Sequence, residues 1–197
     1  MKLAIDINGV LRDTHLKFQQ VYEKYLIDEM DEESEFEYNM TLPITSLNLM
    51  EHFKFKDEDE FLSFMYEEFV MQIFGHAPSV EISTFYDLDE LYQKYKEQIS
   101  FVLISDEISK SKPATLFFLS KFACQIDKIV FTNKFNKENV WDEFDILVTS
   151  NPNMLDKNKN KTLIKYTKEY NKDTECELTI SNLKELDIIL ENTLKNA

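Results

Sequence analysis

The sequence predicts an α/β protein, with a central parallel sheet flanked by helices and a helical subdomain inserted after the first strand. Short apolar runs alternate with segments of helical period, the pattern of βαβ units. These runs end in polar residues: Asp6, Ser105, Thr132 and the pair Thr149-Ser150. The stretch between the first two runs is helix-rich and too long for one crossover, so it reads as an insertion.

Lys2 to Asn8 reads as the first buried strand, through Leu3, Ala4, Ile5 and Ile7. Gly9 turns the chain, and Asp13 or Thr14 caps a helix with Phe18, Val21, Tyr22 and Tyr25 on its apolar face. Met30 to Tyr38 is acidic and reads as a loop. Leu47 to Phe53 is a short segment; Asp57 to Phe74 reads as a longer helix facing inward with Phe61, Met65, Phe69 and Ile73, stopped at Gly75. Asp87 to Gln98 is another helix, with Leu88, Leu91, Tyr92 and Tyr95 inward. Phe101 to Ile104 is the second strand. Pro113 suits a helix start ahead of Leu116, Phe117, Leu119 and Phe122. Lys128 to Phe131, Asp145 to Val148 and Thr162 to Tyr166 read as three further strands, and Lys157 to Lys161 as a surface turn. Ser181 caps a final helix carrying Leu183, Leu186, Leu190 and Leu194.

Composition narrows the function classes. The 197 residues fit one α/β domain with an inserted subdomain, and 43 % hydrophobic content supplies a sizeable core. A net charge of -15 repels nucleic-acid phosphates, which argues against coating DNA or RNA. It leaves room for a small anionic ligand, because a few lysines or a metal ion reverse the field locally. Cys124 and Cys176 match no zinc or CxxC spacing and read as free thiols of a reducing cytoplasm. No apolar stretch has the length of a membrane span, and no basic-then-apolar leader opens the sequence. With 2 glycines, Gly9 and Gly75, there is no glycine-rich phosphate cradle.

Ligands of open α/β sheets bind beyond the carboxyl ends of the strands. Asp6 stands out there, since a carboxylate directly after buried Ile5 is costly unless something pairs with it. The run Asp6-Ile7-Asn8-Gly9-Val10-Leu11-Arg12-Asp13-Thr14 resembles the first motif of the haloacid dehalogenase-like (HAD) superfamily, hhhDxDGVLxDT. Ser105, after Phe101-Val102-Leu103-Ile104, matches the second motif; Lys112, with Lys110 as the alternative, matches the third. Asp145 to Leu155 has the frame of the fourth, an acidic pair after a strand. The likeness is nearest to deoxyribonucleotidase-type phosphatases with a C1 helical cap, phage-encoded relatives included.

The resemblance implies a Rossmannoid core over residues 1–14 and 82–197 and a helical cap over 15–81. It implies Asp6 as the nucleophile forming an aspartyl-phosphate, Ser105 and Lys112 holding the phosphoryl group, and Gly9, Asp106 and Arg12 beside it. It implies Mg²⁺ held by Asp6, the carbonyl of Asn8, and the positions of Thr149 and Ser150. Two departures fall on these positions. Asn8 stands where the general acid/base would be, a role typically worth about 10² to 10⁴ in rate. Thr149 and Ser150 stand where acidic metal ligands would be, leaving Asp6 to bind Mg²⁺ weakly; Asp106 and Glu107 are the nearer replacements.

The expected protein therefore has a phosphate site at Asp6, for a small phosphorylated molecule such as a nucleotide, with little or no phosphatase turnover. An active Mg²⁺-dependent phosphomonoesterase, and a non-catalytic nucleotide- or protein-binding protein, stand as alternatives, with a protein partner or a homo-oligomer open in either case. A receiver-like phospho-acceptor fits less well, because of the insertion and because Asp6 lies on the first strand. Arg12, the single arginine, either clasps phosphate bidentately or pairs with a cap carboxylate. Phe61, Phe64, Tyr66 and Phe69 either pack in the cap core or meet a base. His15, His52 and His76 show no metal-ligand spacing.

Overall fold

A computed structural model describes residues 1–29, 43–108, 110–132, 143–155 and 161–195. The acidic run from Met30 to Tyr38 lies outside these residues, as does the Lys157 to Lys161 turn except for Lys161.

The core is a six-stranded, wholly parallel sheet in the order β3-β2-β1-β4-β5-β6. Its strands are β1 (Lys2–Asp6), β2 (Ser100–Asp106), β3 (Ile129–Thr132), β4 (Ile146–Thr149), β5 (Thr162–Tyr166) and β6 (Leu178–Ile180). Alternate residues divide between the two faces, as the two-residue period of a strand requires. Leu3, Ile5, Phe101, Leu103, Ile146, Val148, Ile164 and Tyr166 enter one core with the apolar sides of α3 (Thr84–Tyr95), α4 (Ser111–Lys121) and α6 (Lys184–Lys195). Ala4, Val102, Ile104 and Leu147 enter the other, with Phe144, which precedes β4, and Met154 of the short α5 (Pro152–Leu155). Both faces of the central strands are covered, which explains why their sequences are nearly continuous apolar runs.

The inserted subdomain begins with α1 (Thr14–Glu29), capped by Asp13, whose carboxylate accepts the Leu16 N–H at 3.1 Å. Its core is mainly aromatic: Phe18, Tyr22, Phe53 and Phe64 are buried together, with Phe55, Phe61 and Phe69 packed against them. The continuous helix expected over Asp57–Phe74 is instead α2 (Glu58–Ser63) followed by π-helical turns at Phe64–Glu68 and Met71–Gly75. Each turn inserts one residue and rotates the following face by about 100°. This is how Phe64, Met65, Ile73 and Phe74 all become buried, while of the expected stripe Met65 and Ile73 are buried and Phe61 and Phe69 are partly buried against the same core.

Other departures are local. β1 stops at Asp6, and the chain turns before Asn8. In α4, Ala114, Thr115, Phe118 and Leu119 point inward, which leaves Leu116 and Phe117 on the solvent side. β6 escaped the sequence reading because three residues show too little alternation to count. Among the described residues no helix is long and apolar enough to cross a membrane.

Candidate functional site

Parallel pairing in register brings the carboxyl ends of the strands to one rim. Asp6 lies beside Ile104, and Asp106 beside Thr132, while Thr149 is level with Lys165. The Thr149 hydroxyl donates to Asp6 Oδ2 at 2.8 Å, and the Asn8 N–H donates to Asp6 Oδ1 at 3.2 Å. Gly9 closes the turn at φ 78°, a left-handed conformation that favours glycine. Any Cβ at this position would also overlap Ser150 Oγ and the Tyr170 hydroxyl.

Beneath the rim lies a buried polar network centred on Arg12, which is 0 % exposed. Its Nη2 meets Glu107 Oε1 at 2.5 Å and Asn8 Oδ1 at 2.7 Å. Nη1 donates to the Phe74 carbonyl at 3.0 Å and to Thr115 Oγ1 at 2.5 Å. Nε donates to Asn8 Oδ1 and Thr14 Oγ1, each at 3.2 Å. The guanidinium also lies over the rings of Phe74 and Phe118, 5.0 and 5.3 Å from their centroids. The expectation that Arg12 binds phosphate is corrected by this burial, since every donor it owns already has an acceptor inside the protein. Its carboxylate partner comes from the core, not the cap.

The same network fixes the motif residues. Asn8 Oδ1 also accepts the Thr14 hydroxyl at 2.7 Å, and Asn8 Nδ2 donates to Ser105 Oγ at 3.0 Å. Ser105 is 1 % exposed and donates to Glu107 Oε1 at 2.7 Å. Ser105 thus sits behind Asn8, its hydroxyl turned to a protein carboxylate. Lys112 is half-buried, with its ammonium 5.5 Å from the centroid of the Phe131 ring, and it does not line the cavity at Asp6. Lys110 is exposed and pairs with Glu67 of the insertion at 3.6 Å.

A cavity of about 130 Å³ opens over Asp6, Asn8, Gly9, Asp106 and Ser150. Asp13, His15, Lys168 and Tyr170 line it as well. The last two lie beyond the end of β5 and were missed by sequence reasoning. The alternation of aromatic and basic residues in Tyr166-Thr167-Lys168-Glu169-Tyr170, just past a strand end, was the available signal. The Tyr170 hydroxyl donates to Ser150 Oγ at 2.8 Å, and burial raises its pKa. Burial lowers the Lys168 pKa, with Asp13 and Glu81 opposing; its Nζ lies 4.0 Å from Asp13. Burial also pulls the His15 pKa down to about 4. Phe61, Phe64, Tyr66 and Phe69 do not line this cavity, and the rings of Phe64 and Phe69 pack on each other at 4.6 Å.

The motif positions fit Mg²⁺ only in part. They supply one carboxylate, the Asn8 carbonyl and two hydroxyls, the low end of the one or two carboxylates that usually hold this hard cation, although Asp13 and Asp106 line the same cavity. The two oxygens that would face the ion each face a hydroxyl: Asp6 Oδ2 that of Thr149, and the Asn8 carbonyl that of Ser150 at 3.3 Å. No group of three or more His, Cys, Asp or Glu residues suited to a metal occurs among the described residues.

Comparison with known proteins identifies the fold as that of haloacid dehalogenase-like hydrolases. A HAD family hydrolase of Deinococcus radiodurans R1, solved with bound phosphate and sodium, matches with a TM-score of 0.61 at 11 % identity, covering 97 % of this chain and 95 % of that one. A dehalogenase solved with an intermediate complex matches with a TM-score of 0.54 at 11 % identity, over 95 % of this chain and 96 % of that one. A HAD-superfamily hydrolase of subfamily IA, variant 1, from Geobacter sulfurreducens PCA matches with a TM-score of 0.52 at 11 % identity, over 95 % and 98 %. No family model and no curated protein matches the sequence.

Proposed function

We propose that this protein uses the HAD-like fold to hold a small phosphorylated molecule at the Asp6 cavity, with little or no phosphatase turnover. The engagement of Asn8 carries the reading. A carboxamide cannot shuttle the proton that phosphoester cleavage needs, and this one is tied to Arg12, Thr14 and Ser105. The cavity size supports a compact head group, since drug-sized ligands occupy roughly 300–1,000 Å³. The Deinococcus neighbour, solved with phosphate, supports the ligand class. The test is orthophosphate release from p-nitrophenyl phosphate and nucleoside monophosphates with Mg²⁺. Wild type is expected to release no more than Asp6→Asn, while inorganic phosphate still raises the melting temperature. Rapid release that Asp6→Asn abolishes would overturn the reading.

One observation favours a second reading. Asp6 would act here as a nucleophile without an acid at position 8 or acidic residues at positions 149 and 150, and displacement of a halide from saturated carbon needs neither. The carboxylate oxygen would bond to carbon as the carbon–halogen bond breaks. The halide would leave with the electron pair, unprotonated, and water would then hydrolyse the ester. The similarity to a dehalogenase supports this chemistry. Halide release from 2-chloropropionate, with ¹⁸O from labelled water entering Asp6, is its signature; no release from 2-haloacids would dismiss it.

A further inference from the structure

The bend that brings Leu47 to the Asp6 cavity is held by an exposed histidine. Leu47 is the one aliphatic residue among the described residues lining that cavity, and it belongs to the insertion. On one side of it the chain is anchored by Leu49, buried in the aromatic core. Asn48 starts a single 3-10 turn there, Leu49–Glu51, and its side chain accepts the Met50 N–H at 3.3 Å. On the other side Ile44 is partly buried against the same core. Between these anchors the N–H groups of Thr45 and Ser46 both donate to His52 Nε2, each at 3.2 Å. The Asn48 N–H donates to Ser46 Oγ at 3.1 Å, which closes the bend on itself. An imidazole nitrogen accepts only while it carries no proton, so these bonds fix a neutral ring with its hydrogen on Nδ1. Protonation puts a hydrogen on Nε2 and turns the acceptor into a donor facing two donors. Both bonds are then lost together.

We propose that His52 is an acid-sensitive clasp that positions Leu47 at the Asp6 cavity, closed while the ring is neutral and released when it takes a proton. The inference rests on the reading that this cavity is the ligand site, and it supplies that site with a control. Histidine side chains change charge between about pH 5 and 8, and His52 is exposed, so protons reach it directly. The titratable group toward it from α1 is His15. Its own turn adds Glu51, whose carboxylate accepts the Asn48 amide at 3.1 Å, and Lys54 two residues on. In the closed form Leu47 gives a polar cavity one apolar boundary against water. Release relaxes the bend between Ile44 and Leu49 and withdraws that boundary, so the ligand is held less tightly in acid. The change is confined to the bend, because Leu49 and Phe53 are buried in the aromatic core independently of the clasp.

The clasp is read in the whole protein by ¹⁵N NMR between about pH 8 and pH 5, through the Thr45 and Ser46 amides and the His52 ring. In wild type the two amide resonances are expected to move together, with the midpoint of the His52 ring. His52→Gln keeps an acceptor near the Nε2 position and has no proton to gain. Its Thr45 and Ser46 amides are expected to stay at their high-pH positions, and those of His52→Ala at the low-pH positions throughout. Binding of inorganic phosphate is measured by calorimetry at both ends of the range, each variant against wild type at the same pH, which cancels the titration of phosphate itself. Wild type and His52→Gln are expected to agree within about twofold at the high end, and wild type to bind about fivefold weaker at the low end, the effect of losing part of a leucine contact. Leu47→Ala is expected to bind as weakly at the high end as wild type does at the low end, relative to His52→Gln. Amides that ignore the His52 titration, or a His52→Gln protein with the wild-type pH profile, overturn the clasp while leaving the ligand site standing. Amides that follow His52 without any difference in phosphate affinity overturn its link to the cavity. Phosphate binding at neither end overturns the ligand site and the control together.

Discussion

His15 couples the cavity to stability through its proton. The unfolded imidazole titrates near 6.5 and the folded one near 4, so between these values the unfolded state binds more protons. The groups around it are Asp13, Lys168, His52 and Tyr170; burial outweighs the pull of Asp13 and sets the direction. Its contribution is complete above about pH 6.5 and is lost as the pH falls through about 4. The melting temperature of wild type should therefore fall more steeply between pH 6.5 and 4 than that of His15→Phe; parallel profiles would remove the burial argument. At this scale the sequence was uneven in what it disclosed. Asp6, Asn8 and Gly9 were legible because neighbouring residues in one loop define them. The burial of Arg12 was not, because its partner Glu107 is 95 residues away and nothing local distinguishes a loop arginine that faces inward. Lys168 and Tyr170 were missed for a related reason: their place past a strand end was readable, but strand order, which brings that end beside Asp6, was not.

The insertion is stabilised as an element by its aromatic cluster. Phe18 contacts the rings of Tyr22, Phe53, Phe55, Phe61 and Phe64, with centroids 5.1 to 6.4 Å apart. Phe18→Ala should cost about 3–5 kcal/mol, the range for a large aromatic lost from a packed core. Urea denaturation followed by tyrosine fluorescence would measure it, and a loss below about 1 kcal/mol would mean that the cluster is not a core. Helix existence in this region was readable from apolar spacing, but helix continuity was not. The first π turn accompanies the packing of Phe64 and Phe69 beside Tyr25, a tertiary contact that spacing along the chain does not record.

Across the whole molecule, Arg12 ties three parts together: the loop after β1, the insertion through the Phe74 carbonyl, and the β2–α4 connection through Glu107. Arg12→Met leaves Glu107 buried without its counter-charge and should destabilise the protein by about 3–5 kcal/mol. Arg12→Met with Glu107→Met should recover part of that loss, because the stranded charge goes with it. Chemical denaturation of the three variants measures the cycle; simple additivity would show that the pair is not coupled. The sheet itself was legible in outline, since buried parallel strands announce themselves as apolar runs, and only the three-residue edge strand escaped.

The strand order has a consequence for biosynthesis. β1 lies at the centre of the sheet, yet one neighbour is β2 and the other is β4, and Asp6 and Thr149 are 143 residues apart. At about 5–20 residues per second, a ribosome needs roughly 7–30 s to deliver the second flank after the first strand emerges. Until β4 emerges, β1 can pair only with β2, and Leu3, Ile5 and Ile7 lie at an open edge that a chaperone can meet first.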